Sequence, residues 1–406
     1  MLRKNILAYY GANFLLIIAQ SLPHAILTPL LLSKGLSLSE ILLVQTFFSF
    51  CVLVAEYPSG VLADLMSRKN LFLVSNAFLI ASFSFVLFFD SFIFMLVAWG
   101  LYGLYSACSS GTIEASLITD IKENKKDLSR FLAKNNQIAY LGMIIGSSLG
   151  SFLYLKVHAM LYIVGIFLIM LCALTIIIYF KEKEEDFKSQ KSLKLLKEQV
   201  KGSLKELKDN PKLKILLVGH LITPVFFMSH FQMWQAYFLK QGIKEQYLFI
   251  FYIAFQVISI LIHFLKASNY SQKITLSSLL VLLSVSPLLL MNIPYCFIGV
   301  YALMVAFFTY MSYCLGYQFS KFVSKNNISS LSSLLSSCVR VVSVLILSLS
   351  SLELRYFSPL TIITMHFALT LIALFFFLLR LSRLMSEFAL KLQPFSDFYS
   401  DIIAMI

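Results

Sequence analysis

Charged residues are scarce in this chain, and their scarcity decides the class of protein. They make up 13% of the 406 residues, with only 20 aspartates and glutamates, whereas soluble proteins average about 25%. Apolar residues supply 59% of the sequence, including 38 phenylalanines, and the mean hydropathy is +0.83. A water-soluble globule could not bury this much apolar surface, and the same composition excludes a disordered or fibrous chain.

Recognisable chemical motifs are also missing. The six cysteines all fall in apolar runs and none forms a Cys-x-x-Cys pair, so we expect neither a disulfide framework nor a bound metal. The sequence has no phosphate-binding loop, no selectivity-filter sequence and no Ser/His/Asp arrangement that spacing would support. We therefore expect a protein that is not an enzyme, has no cofactor and is not driven directly by ATP.

Long apolar runs make up most of the chain. A helix needs about 20 apolar residues to cross a hydrocarbon core ~30 Å thick, and the sequence predicts an all-α membrane protein with twelve transmembrane helices. No small-residue cleavage site follows the first run, so we expect it to remain as a span. The predicted spans cover residues 5–32, 39–63, 70–89, 92–119, 129–153, 157–180, 212–239, 246–266, 274–292, 294–320, 328–350 and 356–382.

Capping residues mark several helix boundaries. Ser37 precedes span 2 with Glu40 three residues later, which is the pattern of a capping box. Asn210 and Pro211 open span 7, and Pro294 opens span 10. A proline suits the first turn of a helix, because the N–H that it lacks would have no partner within the helix.

The distribution of basic residues predicts the orientation of the spans. With the N-terminus inside, 27 of the 33 lysines and arginines fall on the cytoplasmic side and five fall on the opposite side. The remaining basic residue, Arg340, lies at depth within span 11. Both termini are then cytoplasmic, and the net charge of +13 needs no nucleic acid to explain it.

A charged segment divides the spans into six and six. We expect an N-terminal bundle over residues 1–180, a linker over 181–210, a C-terminal bundle over 211–383 and a cytoplasmic tail over 384–406. In the linker, leucines and a valine recur at helical spacing opposite a face of lysines. Such a basic amphipathic helix suits an anionic inner leaflet, although a solvated linker helix fits the pattern equally well.

The loop between spans 2 and 3 carries the most specific motif. Residues 60–69 read GVLADLMSRK, which resembles the signature of the major facilitator superfamily, at the position where that family keeps it. Leu65 and Ser67 depart from the pattern, which has a basic residue and a second glycine there. The resemblance implies two six-helix bundles about a pseudo-twofold axis, a central cavity, transport by alternating access and a monomeric protein.

The resemblance also implies roles for residues of this gating motif. Gly60 lets its helix approach a neighbour closely, and Asp64 faces the N-terminus of the helix in span 11, a contact that stabilises the outward-facing state. Arg68, which Lys69 follows, pairs with the carboxylate of Asp120 at the end of span 4. The alternative is that the charged residues between spans 2 and 3 form only a polar loop that obeys the charge bias.

A second resemblance is narrower. The sequences EYPSG at 56–60 and SGTIEA at 110–115 look like those of a subgroup of bacterial drug-efflux-like transporters, which implies a bacterial cytoplasmic membrane. Span 5 has a GxxxGxxxG run at 142–150, which permits close helix packing, but Ser147 replaces the proline of the antiporter pattern. Span 4 lacks the arginine that proton antiporters commonly carry.

Ionisable residues inside the spans are few, and each is a functional candidate because a bilayer penalises charge. Glu56 and Glu114 reach a similar depth in the inner half of the first bundle. Either carboxylate could bind and release a proton or contact substrate; the alternative is a structural carboxylate bonded to a neighbouring helix. Arg340 is the basic residue at depth, where it could pair with a carboxylate or bind an anionic group of the substrate.

Weaker candidates lie in spans 1 and 7. His24 stands between Pro23 and Pro29, where the helix should kink and widen, and it could line the cavity. Gln232 and Trp234 in span 7 could line it too, although packing against neighbouring helices explains them as well. The histidines show no metal-ligand spacing with a carboxylate.

Together these features predict a secondary active transporter. Proton-coupled efflux of small hydrophobic or amphipathic, drug-like compounds fits best, with the proton gradient as the energy source. One alternative is an uptake or facilitative carrier for a specific metabolite, with Arg340 as an anion clamp. Another is a lipid-handling flippase or a membrane sensor that uses the linker. The expected partners are a small-molecule substrate, protons and membrane lipids, including anionic lipids of the inner leaflet.

Overall fold

The computed structural model describes residues 1–65, 67–109, 112–124, 127–182, 193–265, 272–291, 295–324 and 328–381. These stretches are helical and contain no strand; the predicted tail lies outside them. Their α-helices are α1 (Leu2–Ser21), α2 (Leu27–Ser33), α3 (Leu38–Leu65), α4 (Arg68–Phe88), α5 (Phe92–Ser109), α6 (Ile113–Glu123), α7 (Leu128–Val157), α8 (Leu161–Tyr179), α9 (Leu193–Asp209), α10 (Pro211–Lys240), α11 (Leu248–His263), α12 (Gln272–Val285), α13 (Cys296–Phe322), α14 (Ile328–Glu353) and α15 (Pro359–Leu381).

Each predicted span overlaps one or two of these helices within the described residues, and the count of twelve membrane crossings stays a prediction. Span 1 consists of α1 and α2 in series, and span 4 consists of α5 and α6, while α12 continues as a short 3-10 helix over Ser286–Leu289. Within the described stretches, nine helical segments are long and apolar enough to cross a membrane. The all-helical architecture is confirmed, and the kink expected between Pro23 and Pro29 is a full break in the helix.

Two of the predicted caps are confirmed. The N–H and the hydroxyl of Ser37 each donate to Glu40 Oε2 at 2.8 Å, and the Glu40 N–H returns a bond to Ser37 Oγ at 3.3 Å. Asn210 Oδ1 accepts from the backbone N–H groups two and three residues later, at 3.1 and 3.3 Å. These bonds satisfy donors that the first turn of a helix leaves open. Pro294 lies outside the described residues.

The chain divides into two compact units. Unit 1 joins the first half of the sequence with the end of α10, the start of α11, the end of α14 and the start of α15. The predicted division into two six-helix bundles stays a prediction. Unit 1 comprises Met1–Ser192, Met228–Val257 and Arg340–Ile363, and unit 2 comprises Leu193–Phe227, Ile258–Val339 and Thr364–Ile406.

In unit 1, α7 crosses α1 closely along the GxxxGxxxG run. A Cβ atom on Gly146 would lie 2.6 Å from the carbonyl oxygen of Ile18, and one on Gly150 would overlap the carbonyl oxygen of Leu22. Neither position has room for a side chain, so the two backbones are in direct contact. The close packing predicted for this run is therefore present, and it reaches the point where α1 breaks.

In unit 2, aromatic rings pack between α10, α13 and α15. The Phe226 ring centroid lies 3.9 Å from that of Phe308 and 4.5 Å from that of Phe367. The linker helix α9 belongs to the same unit, where Glu206 accepts hydrogen bonds from the N–H and the hydroxyl of Ser324, both at 2.7 Å. The predicted linker helix is thus present, and its contact with an anionic leaflet stays a prediction.

We expect Gly150→Ala to destabilise the protein, because the added methyl group would overlap the Leu22 carbonyl and push α1 away from α7. Overpacking of this kind costs roughly 1–3 kcal/mol, which exceeds the ~1 kcal/mol that alanine gains over glycine in a helix. The melting temperature in detergent micelles measures the effect. Gly11→Ala in α1 is the control, since nothing lies within 4 Å of its added Cβ. Equal losses in both variants would contradict the close crossing.

Candidate functional site

Polar residues line one face of α1, where two of the functional candidates, Glu114 and His24, are found. Tyr9, Asn13 and Gln20 are spaced by four and seven residues, which places them on the same side of a helix with about 3.6 residues per turn. His24 follows in the break between α1 and α2. In an otherwise apolar span, such a face belongs against protein or water rather than lipid.

Glu114 is the acidic residue that meets this face. Its carboxylate, on α6, accepts a hydrogen bond from the Tyr9 hydroxyl at 3.1 Å and another from Asn135 Nδ2 of α7 at 3.2 Å. Asn135 Oδ1 in turn accepts from Asn13 Nδ2 at 2.9 Å. These four side chains from three helices form one connected network, the Glu114 cluster.

The Glu114 cluster can hold its carboxyl group in either protonation state. Tyr9 and Asn135 are 6% and 8% exposed, whereas Glu114 and Asn13 are half-buried. When Glu114 is ionised, the hydroxyl and the amide donate to it. When it is protonated, its own O–H can donate to the Tyr9 oxygen, because a phenolic hydroxyl both donates and accepts. The carboxyl group therefore has a hydrogen-bond partner in either form, and its role in proton coupling stays a prediction.

Further along the same face, Gln20 and His24 meet tyrosines. Gln20 Nε2 donates to the hydroxyl of Tyr105 on α5, and the Tyr105 ring stacks on Tyr102 at a centroid distance of 5.9 Å. His24 is half-buried, and its Nδ1 lies 3.1 Å from the hydroxyl of Tyr252 on α11. Its role in lining a cavity stays a prediction. The polar face of α1 therefore contacts a carboxylate near its start, carries amide side chains along its length and ends at a histidine, and aromatic rings lie beside it.

The two candidates of span 7 differ in their surroundings. Trp234 is 3% exposed and packs edge-on against Phe238 and Phe255, at centroid distances of 5.7 and 5.4 Å. These contacts favour the packing alternative for Trp234. Gln232 is half-buried, and its role in lining a cavity stays a prediction.

Sequence reasoning missed most of this network. Tyr9, Asn13 and Gln20 belong to no motif, although polar residues at four- and seven-residue spacing in an apolar span were a detectable signal. It also missed Gln235, whose side chain is hydrogen-bonded to the break in α1. No local pattern distinguishes Gln235 from the nearby Gln232, because the contact joins residues far apart in the sequence.

Two other charges inside the predicted spans stand apart from the Glu114 cluster. Glu56, on α3, is half-buried, and its Oε2 atom is buried with no hydrogen-bond partner among the described residues. Arg340, on α14, is half-buried and forms no ion pair with a carboxylate that the structure describes. Neither residue shows a structural partner among the described residues, so Glu56 remains a candidate for binding a proton or substrate and Arg340 one for binding an anionic group of the substrate.

The signature segment covers the end of α3 and the start of α4. Gly60 and Asp64 lie in α3, and their surroundings fall outside what the structure describes. Ser67 Oγ accepts a hydrogen bond from the N–H of Asn70 at 3.0 Å. The departure from glycine at this position therefore supplies an N-cap for α4.

Lys69 binds the end of α8. Its Nζ donates to the carbonyl oxygens of Ile177 and Phe180, at 3.0 and 2.9 Å, where a helix leaves carbonyl groups without partners and carries partial negative charge. This contact was not expected from the sequence. Arg68 is half-buried and Asp120 is 9% exposed; their pairing stays a prediction.

Lys181, two residues beyond the end of α8, is hydrogen-bonded to α1. Asn5 Nδ2 donates to the carbonyl oxygen of Lys181 at 2.7 Å, and the Lys181 N–H donates to Asn5 Oδ1 at 3.1 Å. This reciprocal pair ties the start of the predicted linker to α1, and the Lys69 contact ties the end of α8 to α4. The signature segment is thereby joined to the end of the sixth predicted span.

Long apolar helices that surround an ionisable network define a polytopic helical membrane protein. A family model described as Major Facilitator Superfamily matches residues 9–347. The chain belongs to the major facilitator superfamily. A relative, the Uncharacterized MFS-type transporter YxaM of Bacillus subtilis (strain 168), is 25% identical over 260 residues. The alignment covers 61% of this chain and 64% of that protein, so the chain matches less than two thirds of its relative.

Solved transporter structures share the fold. The nucleoside transporter NupG gives a TM-score of 0.74 at 13% identity, over 94% of this chain and 98% of NupG. A bacterial homologue of the human lysosomal transporter Spinster, inward-facing and unoccupied, gives 0.67 at 14% identity, over 94% and 95%. The POT family transporter PepTSo gives 0.66 at 12% identity, over 96% and 99%. At these identities the likeness establishes the fold alone.

We expect Lys69→Met to lower the melting temperature of the purified protein, because the last carbonyl groups of α8 lose the ammonium group that binds them. A cation at a helix C-terminus contributes about 0.3–1 kcal/mol. Lys201→Met is the control, since Lys201 is exposed in the middle of α9 and its substitution removes the same charge away from a helix end. Indistinguishable melting curves for the two variants would show that Lys69 does not hold α8.

Proposed function

We propose that this chain is a secondary active transporter of the bacterial cytoplasmic membrane, which moves a small organic solute by alternating access and exchanges it for a proton at Glu114. The observation that carries the proposal is the Glu114 cluster, an acidic side chain in an apolar bundle held by a tyrosine hydroxyl and an asparagine amide. Membership of a superfamily whose relatives bear transporter names supports the movement of a solute.

Efflux of small hydrophobic or amphipathic compounds is the first assignment. Aromatic rings flank the polar face of α1: Tyr102 stacks on Tyr105 and lies 5.4 Å from the Phe48 ring. Apolar, aromatic walls with a few polar groups suit an amphipathic solute better than a multiply charged one. A carboxylate that loses its proton on the inside and regains it on the outside would tie solute exit to proton entry.

A carrier for a specific metabolite is the second candidate, and Arg340 favours it. The guanidinium of Arg340 is half-buried without an ion pair among the described carboxylates. Its planar set of donors could bind a carboxylate or phosphate group of a solute in a bidentate way. One structural neighbour is a nucleoside transporter, which adds nucleosides to the compounds worth testing.

Proteoliposomes with an imposed pH gradient test the coupling. Proton movement is followed while lipophilic cations, hydrophobic drugs, nucleosides or anionic metabolites are added one at a time. We expect wild-type protein to show proton flux with at least one of these solutes. We expect Glu114→Gln to reduce that flux to background, because an amide keeps the size and polarity of the side chain but cannot bind and release a proton.

Two further variants sharpen this test. Glu123→Gln is the matched control, because Glu123 is exposed on the same helix as Glu114. Tyr9→Phe keeps the carboxyl group and removes one donor, so it should weaken the coupled flux without abolishing it. Flux that persists in Glu114→Gln would assign Glu114 a structural role, and solute movement without proton movement would identify a facilitative carrier.

We expect Arg340→Gln to separate the two substrate classes. If Arg340 binds an anionic group, the variant should lose counterflow of anionic metabolites and keep that of neutral or cationic hydrophobic compounds. Radiolabelled counterflow in proteoliposomes measures both classes on one preparation. Arg355→Gln removes an exposed arginine and serves as the control. A uniform loss for every solute would instead assign Arg340 to helix packing.

A further inference from the structure

The break in α1 leaves backbone groups that an unbroken helix would satisfy. α1 ends at Ser21 and α2 begins at Leu27. Between them, the His24 N–H donates to the Ser21 carbonyl at 3.1 Å, and the Ile26 N–H donates to the Pro23 carbonyl at 3.0 Å. Inside a bilayer, unpartnered backbone groups are costly, so a broken helix needs polar partners from its neighbours.

One side chain of α10 supplies these partners. Gln235 Oε1 accepts a hydrogen bond from the Thr28 N–H at 2.8 Å, and Gln235 Nε2 donates to the His24 carbonyl oxygen at 2.7 Å. Gln235 is 3% exposed. Its amide therefore links a carbonyl within the break to an N–H in the first turn of α2. An apolar side chain of the same size could make neither bond.

Two further contacts join other helices of unit 1. Ser39 Oγ donates to the Ser351 carbonyl oxygen at 2.8 Å, and Ser351 Oγ donates to the Ser39 carbonyl oxygen at 3.1 Å, which makes a reciprocal pair between α3 and α14. The third contact is that of His24 Nδ1 with the Tyr252 hydroxyl. The charge bias of the loops predicts that all these helix ends lie on the outer side of the membrane.

We propose that the contacts of Gln235, the Ser39–Ser351 pair and the His24–Tyr252 pair form an outer latch, in which Gln235 is the positioning residue. The latch joins helices from the first half of the sequence to helices from the second half, and the outer side opens when they part. The inference rests on the proposed function in one respect, that a transport cycle requires the outer side to open.

The chemistry of the outer latch suits a reversible contact. Every bond in it is a hydrogen bond between uncharged donors and acceptors, and water can replace each partner when the helices separate. A buried ion pair would leave unpaired charges on opening. Gln235 controls the balance because its loss frees the His24 carbonyl and the Thr28 N–H, which water reaches more easily in the parted state.

Disulfide trapping tests the outer latch. Ser39→Cys and Ser351→Cys are combined in the full chain, with a protease site inserted between residues 183 and 192, so that two fragments separate on a non-reducing gel unless a disulfide joins them. The two serine hydroxyl oxygens lie 2.7 Å apart. We therefore expect rapid cross-linking on mild oxidation and a loss of solute flux that a reducing agent restores. The parent chain with the protease site and its six native cysteines measures the background.

Adding Gln235→Leu to the chain with Ser39→Cys and Ser351→Cys tests the positioning role of Gln235. Leucine keeps the volume and makes neither bond, so we expect the cross-linking rate to fall about tenfold, as the loss of two uncharged hydrogen bonds predicts. When Gln235→Leu is combined with Ser39→Cys alone, labelling of the new cysteine by a membrane-impermeant maleimide should rise relative to Ser39→Cys without it. The protein should still elute as one monodisperse peak, which shows that it remains folded. A merely structural role would not raise outward accessibility. Gln241→Leu, just beyond the end of α10, is the control.

The outcomes separate the latch from the proposed function. Cross-linked protein that still moves solute at the full rate would overturn the latch, because the contact would not need to open. Equal cross-linking and labelling in Gln235→Leu and Gln241→Leu would overturn the role of Gln235. If trapping behaves as expected while Glu114→Gln leaves proton flux unchanged, the latch stands and the coupling role of Glu114 fails.

Discussion

The crossing of α1 by α7 is the contact on which the rest of unit 1 depends. Backbone touches backbone at Gly146 and Gly150, and the same helix α7 carries Asn135, which bonds to both Asn13 and Glu114. A side chain at either glycine would widen the gap that these hydrogen bonds span. In a membrane, where helices gain little from hydrophobic association, close packing and interhelical hydrogen bonds have to be satisfied together.

Buried polar groups in this protein are matched mainly by uncharged partners. Glu114 is held by a hydroxyl and an amide, and Gln235 satisfies backbone groups at a break. One ion pair among the described residues joins Lys34 to Asp90 at 2.5 Å, next to the ends of α2 and α4. An acid with uncharged donors can gain or lose a proton without leaving an opposite charge unpaired, which an ion pair does not allow.

Local signals were enough to predict the helices and several of their ends. The Ser37 capping box and the Asn210 cap depend on residues two or three positions apart, and both are present. The signature at 60–69 predicted the family, because it stands at a defined place among the spans. Its internal chemistry was less predictable: Ser67 acts as a cap and Lys69 binds the end of α8.

Contacts between distant helices could not be predicted from one sequence. Glu114 was selected because charge in a span is rare, but its partners Tyr9 and Asn135 are common polar residues whose meeting depends on how α1, α6 and α7 cross. Nothing in the sequence distinguishes Gln235 from other glutamines, because its contact with the break in α1 is visible only in the folded structure. Helical spacing identifies a polar face, whereas the three-dimensional crossing identifies what that face touches.

The polar face of α1 has a consequence for biosynthesis. The hydrogen-bond partners of this face come much later in the chain. The partner of the Tyr9 hydroxyl lies 105 residues later, that of Asn13 lies 122 residues later, and that of the Thr28 N–H lies 207 residues later. Because the chain is made from its N-terminus, the first span enters the membrane with donors and acceptors that no other part of the nascent protein can yet satisfy. Until the seventh predicted span has been synthesised, the break in the first span lacks the Gln235 amide, and another polar partner or water has to take its place.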